Sequence, residues 1–160
     1  MPGYFTDTTN LAFCTAQVAA SAMAVTTGTI STNVIDCQAS PTLRDLGINP
    51  MFVDVIVTEA FTPVGDGAAE FTSLNIKLYS DSTVNLATSA TQHVSRDIAL
   101  AALTLGARFT LALPPGQTYE RYLGLWFTST AEAASAGKIA AYLTPALESR
   151  QWFADGSSIA

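Results

Sequence analysis

The chain has 160 residues, a formal net charge of -6 at pH 7, and charged side chains at only 12% of positions against 49% that are hydrophobic. A chain of this length is expected to form one domain with a self-supporting core, and its apolar share is not that of a disordered protein. The seven Lys and Arg residues are scattered, which argues against direct binding of DNA or RNA, since phosphate recognition needs several converging positive groups.

Residues 1–28 are read as an N-terminal arm. Thr9 or Asn10 is placed to cap a helix from Leu11 to about Ala24, where Ala, Met and Gln favour helix. The competing reading is an extended arm that enters a strand near Ala22–Thr27. The apolar run Leu11–Val25 has no preceding Lys or Arg and is interrupted by Thr15 and Gln17, so it is not read as an export signal. LAFC at Leu11–Cys14 matches a lipobox only loosely. No window approaches the roughly 20 apolar residues of a membrane span, so no membrane partner is expected.

Thr29–Cys37 is expected as a strand anchored by Ile30, Val34 and Ile35, with a bulge near Asn33. Ser40–Pro50 reads as a loop. Met51–Glu59 places Met51, Val53, Val55 and Val57 on one face and Phe52, Asp54, Ile56 and Thr58 on the other, the pattern of a central strand. The glycine-rich stretch Phe61–Thr72 reads as a loop suited to contacts. Phe71–Ser80 turns Leu74, Ile76 and Leu78 inward and Asn75, Lys77 and Tyr79 outward. Val84–Thr88 is expected as a short strand. Thr91–Leu105 fits either a helical turn from Asp97 or an edge strand around Ile98 and Leu100. In Arg108–Leu113, Phe109, Leu111 and Leu113 point inward, and Pro114-Pro115-Gly116 ends the strand.

Tyr119–Thr130 is the longest strand candidate. Leu123, Leu125 and Phe127 share its core face, while Tyr122, Trp126 and Thr128 occupy a second face that is at least half covered. Ala131–Gly137 reads as a loop or short helical turn, with Gly137 the turning point. In Lys138–Thr144, Ile139, Ala141 and Leu143 oppose Lys138, Ala140, Tyr142 and Thr144. The predicted core is therefore Val53, Val55, Val57, Leu74, Ile76, Leu78, Phe109, Leu111, Leu123, Leu125, Phe127, Ile139 and Leu143. Seven or eight short strands with Gly, Pro, Ser, Thr and Asp turns predict an all-β antiparallel sandwich or barrel.

Sites for chemistry are few. Two cysteines, Cys14 and Cys37, make no disulfide framework and read as free small hydrophobes, with a single bridge between them as the alternative. His93, the single histidine, has only sequence-local Thr91, Ser95 and Asp97 as partners and reads as a turn or edge residue; no metal site is expected. Asp66 and Glu70 read as solvated loop acids, lacking the spacing of a calcium loop. No catalytic residue, cofactor or small-molecule substrate is predicted. Tyr4, Phe5, Phe61, Val64, Trp126 and Tyr142 are the candidate partner contacts; Trp126 with Tyr142 on one face would make a sugar platform, but both sit mid-strand, where burial is the easier explanation.

STNVIDC (Ser31–Cys37), RDLG (Arg44–Gly47), MFVDVIVTEAFT (Met51–Thr62), LALPPGQTYERYLGLWF (Leu111–Phe127) and ASAGKIAAYLT (Ala134–Thr144) stand in an order that resembles the Bbp16-like capsid cement proteins of tailed bacteriophages. The family's TAGK turn is represented here by Ser135-Ala136-Gly137-Lys138, which differs at its first position. The resemblance implies a jelly-roll sandwich, which is placed at residues 29–145, with residues 146–160 read as a C-terminal tail. It further implies a homodimer on the outer surface of the virion's icosahedral head, bridging neighbouring copies of the major capsid protein without catalysis. A carbohydrate-binding or adhesin-like sandwich is the alternative, and a hydrolytic or lyase jelly roll a more distant one, disfavoured by the lack of histidines.

Overall fold

A computed structural model describes residues 11–18, 28–37, 50–63, 70–87, 89–130, 132 and 134–144. Among these residues nine strands form two antiparallel sheets. They are β1 (Ala12–Val18), β2 (Thr29–Ile30), β3 (Ile35–Asp36), β4 (Phe52–Pro63), β5 (Ser73–Asp81), β6 (Thr91–Ala99), β7 (Arg108–Ala112), β8 (Tyr122–Ser129) and β9 (Ala134–Thr144). One sheet runs β1-β9-β4-β7; the other runs β2-β8-β5-β6, with β3 also paired to β8. Only the β5–β6 connection stays within a sheet when β2 and β3 are taken as one interrupted strand; every other connection crosses between sheets.

Period-two alternation sets the register. Val53, Val55 and Val57 of β4 face inward opposite Leu143, Ala141 and Ile139 of β9, while Leu74, Ile76 and Leu78 of β5 lie opposite Ser129, Phe127 and Leu125 of β8. All of these are buried, and the two inner faces make one continuous core. β4 and β8 each have neighbours on both sides, as large residues on both of their faces predict. Phe109 points inward but is only partly buried, because β7 is an edge.

The gaps between the sheets are closed by side chains. On one side Gln17 of β1 donates to the Ile30 carbonyl at 3.0 Å and accepts from the Thr32 amide at 3.0 Å. On the other, Arg96 occupies an inward position of β6, opposite Ile76, yet reaches across to the Thr110 carbonyl at 2.8 Å. Its guanidinium lies 5.4 Å from the Phe109 ring centre. A charged side chain turned inward on an edge strand also discourages edge-to-edge pairing with other chains.

The structure corrects four expectations. Ala12–Val18 is a strand paired with β9, where the sequence offered a helix or an extended arm; burial of Phe13 and Cys14 outweighs the helix preference of the alanines, and the strand expected near Ala22–Thr27 lies outside the described residues. Thr29–Cys37 is broken into β2 and β3. Between them Asn33 leaves β8 to bond β1, its amide donating to the Phe13 carbonyl at 2.8 Å and its side chain to the Ala12 carbonyl at 2.7 Å. Val84–Thr88 is not a strand over its described residues, 84–87, because Asp81 and Asn85 side chains capture the local amides and close turns instead. Gly137 does not reverse the chain. It lies inside β9, which begins at Ala134, and the Ser135 hydroxyl reaches the Thr62 and Pro63 carbonyls at 3.1 and 2.9 Å. The open reading of residues 91–105 resolves into strand β6 followed by a short 3-10 turn at Leu100–Ala102.

Candidate functional surface

Asp81, fully buried, closes the β5–β6 connection: it accepts from the Thr83 amide at 3.0 Å and from the Ser89 amide and hydroxyl at 3.3 and 3.1 Å. The connection then folds back over β8. Leu86, with φ of 50°, sits so close to Gly124 that a Cβ there would lie 2.2 Å from Leu86 Cδ1. This supplies the cover expected over the second face of β8. Asp81→Asn keeps one acceptor oxygen but loses the charge-assisted bonds, and should cost about 1 to 3 kcal/mol in urea unfolding. A loss within about 0.3 kcal/mol would show that the carboxylate does not hold the loop.

Near it, His93 Nε2 lies 2.7 Å from Ser80 Oγ, a contact not foreseen from local neighbours because the two lie on paired strands. A serine beside an imidazole is the start of a nucleophilic arrangement. Here Ser80 has no exposed surface and His93 Nδ1 is buried without a partner, so neither substrate access nor an orienting third group is provided. The pair joins strands instead. Its position on edge strand β6 is the one expected for His93. Cys14 and Cys37 are free and buried, and burial pushes both thiols up to about 12, with the Asp36 charge adding to the effect at Cys37. Such thiols have little thiolate to react. Among the described residues no cluster of His, Cys, Asp or Glu could hold a metal ion, and no helix is long and apolar enough to cross a membrane.

The outer faces of the sheets carry the remaining chemistry. On the β1-β9-β4-β7 sheet, partly buried Phe52 and Ile56 flank Asp54, which lies 3.9 Å from Arg108; Tyr142 stands opposite Asp54 on β9. Glu59 and Lys138 pair at 2.6 Å farther along. On the other sheet Trp126 packs on Tyr79 with ring centres 5.4 Å apart, and Arg121 lies 4.9 Å from the Tyr122 ring while binding Asp36 through two hydrogen bonds.

Of the candidate contacts, Trp126 and Tyr142 therefore belong to opposite sheets and form no shared platform. Phe61 is buried and stacks on Phe71 at 5.7 Å, so it is a core residue. Tyr4, Phe5 and Val64, together with Asp66 of the loop acids, lie outside the described residues; Glu70 is exposed. Tyr79, Phe52 and Ile56 were legible as outward residues from their alternation, but only the register reveals that Tyr79 meets Trp126.

A family model described as Bbp16 matches residues 19–143. No curated protein matches the chain.

Proposed function

Because the chain belongs to the Bbp16 family of bacteriophage proteins, we propose that it is a cement protein of the phage head. In this reading it binds the outside of the icosahedral shell as a homodimer, bridges neighbouring subunits of the major capsid protein and resists their separation. The family match over residues 19–143 carries the reading. The strand order supports a jelly roll: with β2 and β3 taken as one strand, β1-β9-β4-β7 facing β2-β8-β5-β6 is the arrangement of two Greek keys.

A bridge must transmit force without deforming. Two sheets packed over one core and stitched at both sides by Gln17 and Arg96 provide such a body. The outer face bearing Phe52, Ile56 and Tyr142 is the surface we assign to the dimer. It mixes apolar side chains with the Asp54–Arg108 pair, and a specific interface would bury at least about 1,000 Å² in total. Ala12–Val18 is part of a sheet, so within the segment 1–28 read as an arm we assign shell contact to residues 1–10, ahead of that strand. With so few charges in the chain, attachment should weaken only modestly with salt.

The experiment is co-sedimentation of the purified protein with heads lacking it. Saturable binding at regular occupancy is expected. Absence of binding at tens of micromolar protein would overturn the assignment. Sedimentation of the free protein as monomer only would remove the dimer while leaving shell binding to be judged by occupancy.

A further inference from the structure

We propose that the β7–β8 connection is held to the sandwich by a histidine clasp that releases it on mild acidification. The connection, residues 113–121, is bonded at its ends, Leu113 N–H to the Met51 carbonyl and Arg121 to Cys37 and Asp36, and the stretch between them is tied down at one corner. The Glu120 amide donates to Ser80 Oγ at 3.1 Å, Ser80 Oγ meets His93 Nε2 at 2.7 Å, and the Tyr119 ring lies against the imidazole with centres 4.3 Å apart. The Tyr119 hydroxyl donates to the Pro114 carbonyl at 2.8 Å, so the ring that touches His93 also fixes the start of the connection. His93 sits where the β5–β6 register slips, between Val94 opposite Leu78 and Gln92 opposite Tyr79, which turns it out of the regular ladder.

The proton inventory shows why charge opens this arrangement. Ser80 Oγ already accepts from the Glu120 amide, so with a bare Nε2 on neutral His93 the Ser80 hydroxyl donates to the ring and is satisfied. Protonating Nε2 makes it a donor. Ser80 Oγ then accepts twice, and its own proton has lost its acceptor in a place without exposed surface. Nδ1, which carries the ring proton when Nε2 is bare, is buried without a partner in both states, so the ring gains no new partner there on charging. The charged and titratable groups on the elements packed around it offer little compensation. Asp81, next along β5, spends its carboxylate on Ser82, Thr83 and Ser89; Glu120 contributes its main-chain amide; Tyr119 contributes its ring. Burial accordingly holds His93 below the ordinary imidazole range.

The sign follows from that lowered affinity for protons. A state in which His93 reaches water binds a proton near pH 6.5, before the closed state does. The clasp is therefore fully favoured above about pH 6.5 and weakens as pH falls toward the closed-state value. Opening should become up to about tenfold more frequent per pH unit in that window. His93 is the only histidine, so no second imidazole shares the window.

The test is amide hydrogen exchange of the whole protein from pH 7.5 to 5, corrected for intrinsic rates, with the His93 ring followed by NMR. Protection of the Glu120 amide should fall with acidification while that of Val55 in central β4 stays constant. His93→Gln, which cannot titrate, should abolish the pH dependence. Constant Glu120 protection through the window in the unaltered protein would overturn the clasp, as would an equal decline in His93→Gln. Parallel losses at Glu120 and Val55 would overturn local release, whether or not the variant folds.

Discussion

Gly137→Ala should remove a substantial part of the protein's stability. Gly137 has φ of 135°, a conformation that side-chain-bearing residues rarely adopt, and a Cβ there would lie 2.7, 2.7 and 2.9 Å from three atoms of the Phe61 ring. The register explains the crowding. Lys138 and Ala136 pair with Glu59 and Thr62, so Gly137 faces the extra residues of a bulge in β4, and the Phe61 ring is pressed down between Gly137 and Phe71. Backbone strain of about 1 to 3 kcal/mol and overpacking of about 1 to 3 kcal/mol together give a loss of roughly 2 to 6 kcal/mol. Domains of this size have only about 5 to 15 kcal/mol to lose. Urea unfolding measures the cost, and adding Phe61→Leu should recover part of it by clearing the ring. A single substitution costing under about 1 kcal/mol would show that β9 tolerates a side chain at this bulge.

Leu123→Ala should cost about 2 to 5 kcal/mol in the same assay, with the chain still folded. Leu123 has no exposed surface and sits on β8 between Ile35 of β3 and Ser80 of β5, sharing its face with Leu125 and Phe127. β8 is bounded by strands on both sides, so the walls of the new cavity cannot collapse freely. A loss below about 1 kcal/mol would mean that the core relaxes around the gap.

The two substitutions mark what could be read from the chain and what could not. Leu123 was legible because alternation in Leu123, Leu125 and Phe127 reports directly on a strand with one face in a core. The same period-two signal located β4, β5, β7 and the second half of β9. Gly137 was misread because a glycine among small polar residues signals a turn equally well, whereas its positive φ and the Phe61 ring on the opposing strand, which make the glycine necessary, arise only from the pairing. Ala12–Val18 was obscured by alanine, which favours helix locally, whereas the strand forms through β9, more than a hundred residues away in sequence. The apparent strand at Val84–Thr88 failed for a related reason. Its valine and leucine look extended in isolation, but a carboxylate at Asp81, outside the segment, dictates turns. The Ser80–His93 contact and the separation of Trp126 from Tyr142 depend on strand pairing and sheet order, which alternation does not encode.

The proposed bridging role rests on mass action. A protein that binds the closed shell and not its dispersed subunits stabilises the shell, and even a micromolar contact is worth about 8 kcal/mol at standard state. The most direct measurement heats phage heads with and without this protein, at confirmed full occupancy, while following DNA release. A higher release temperature for occupied heads is expected, by several degrees and in proportion to occupancy. Equal release temperatures at full occupancy would contradict the stabilising role.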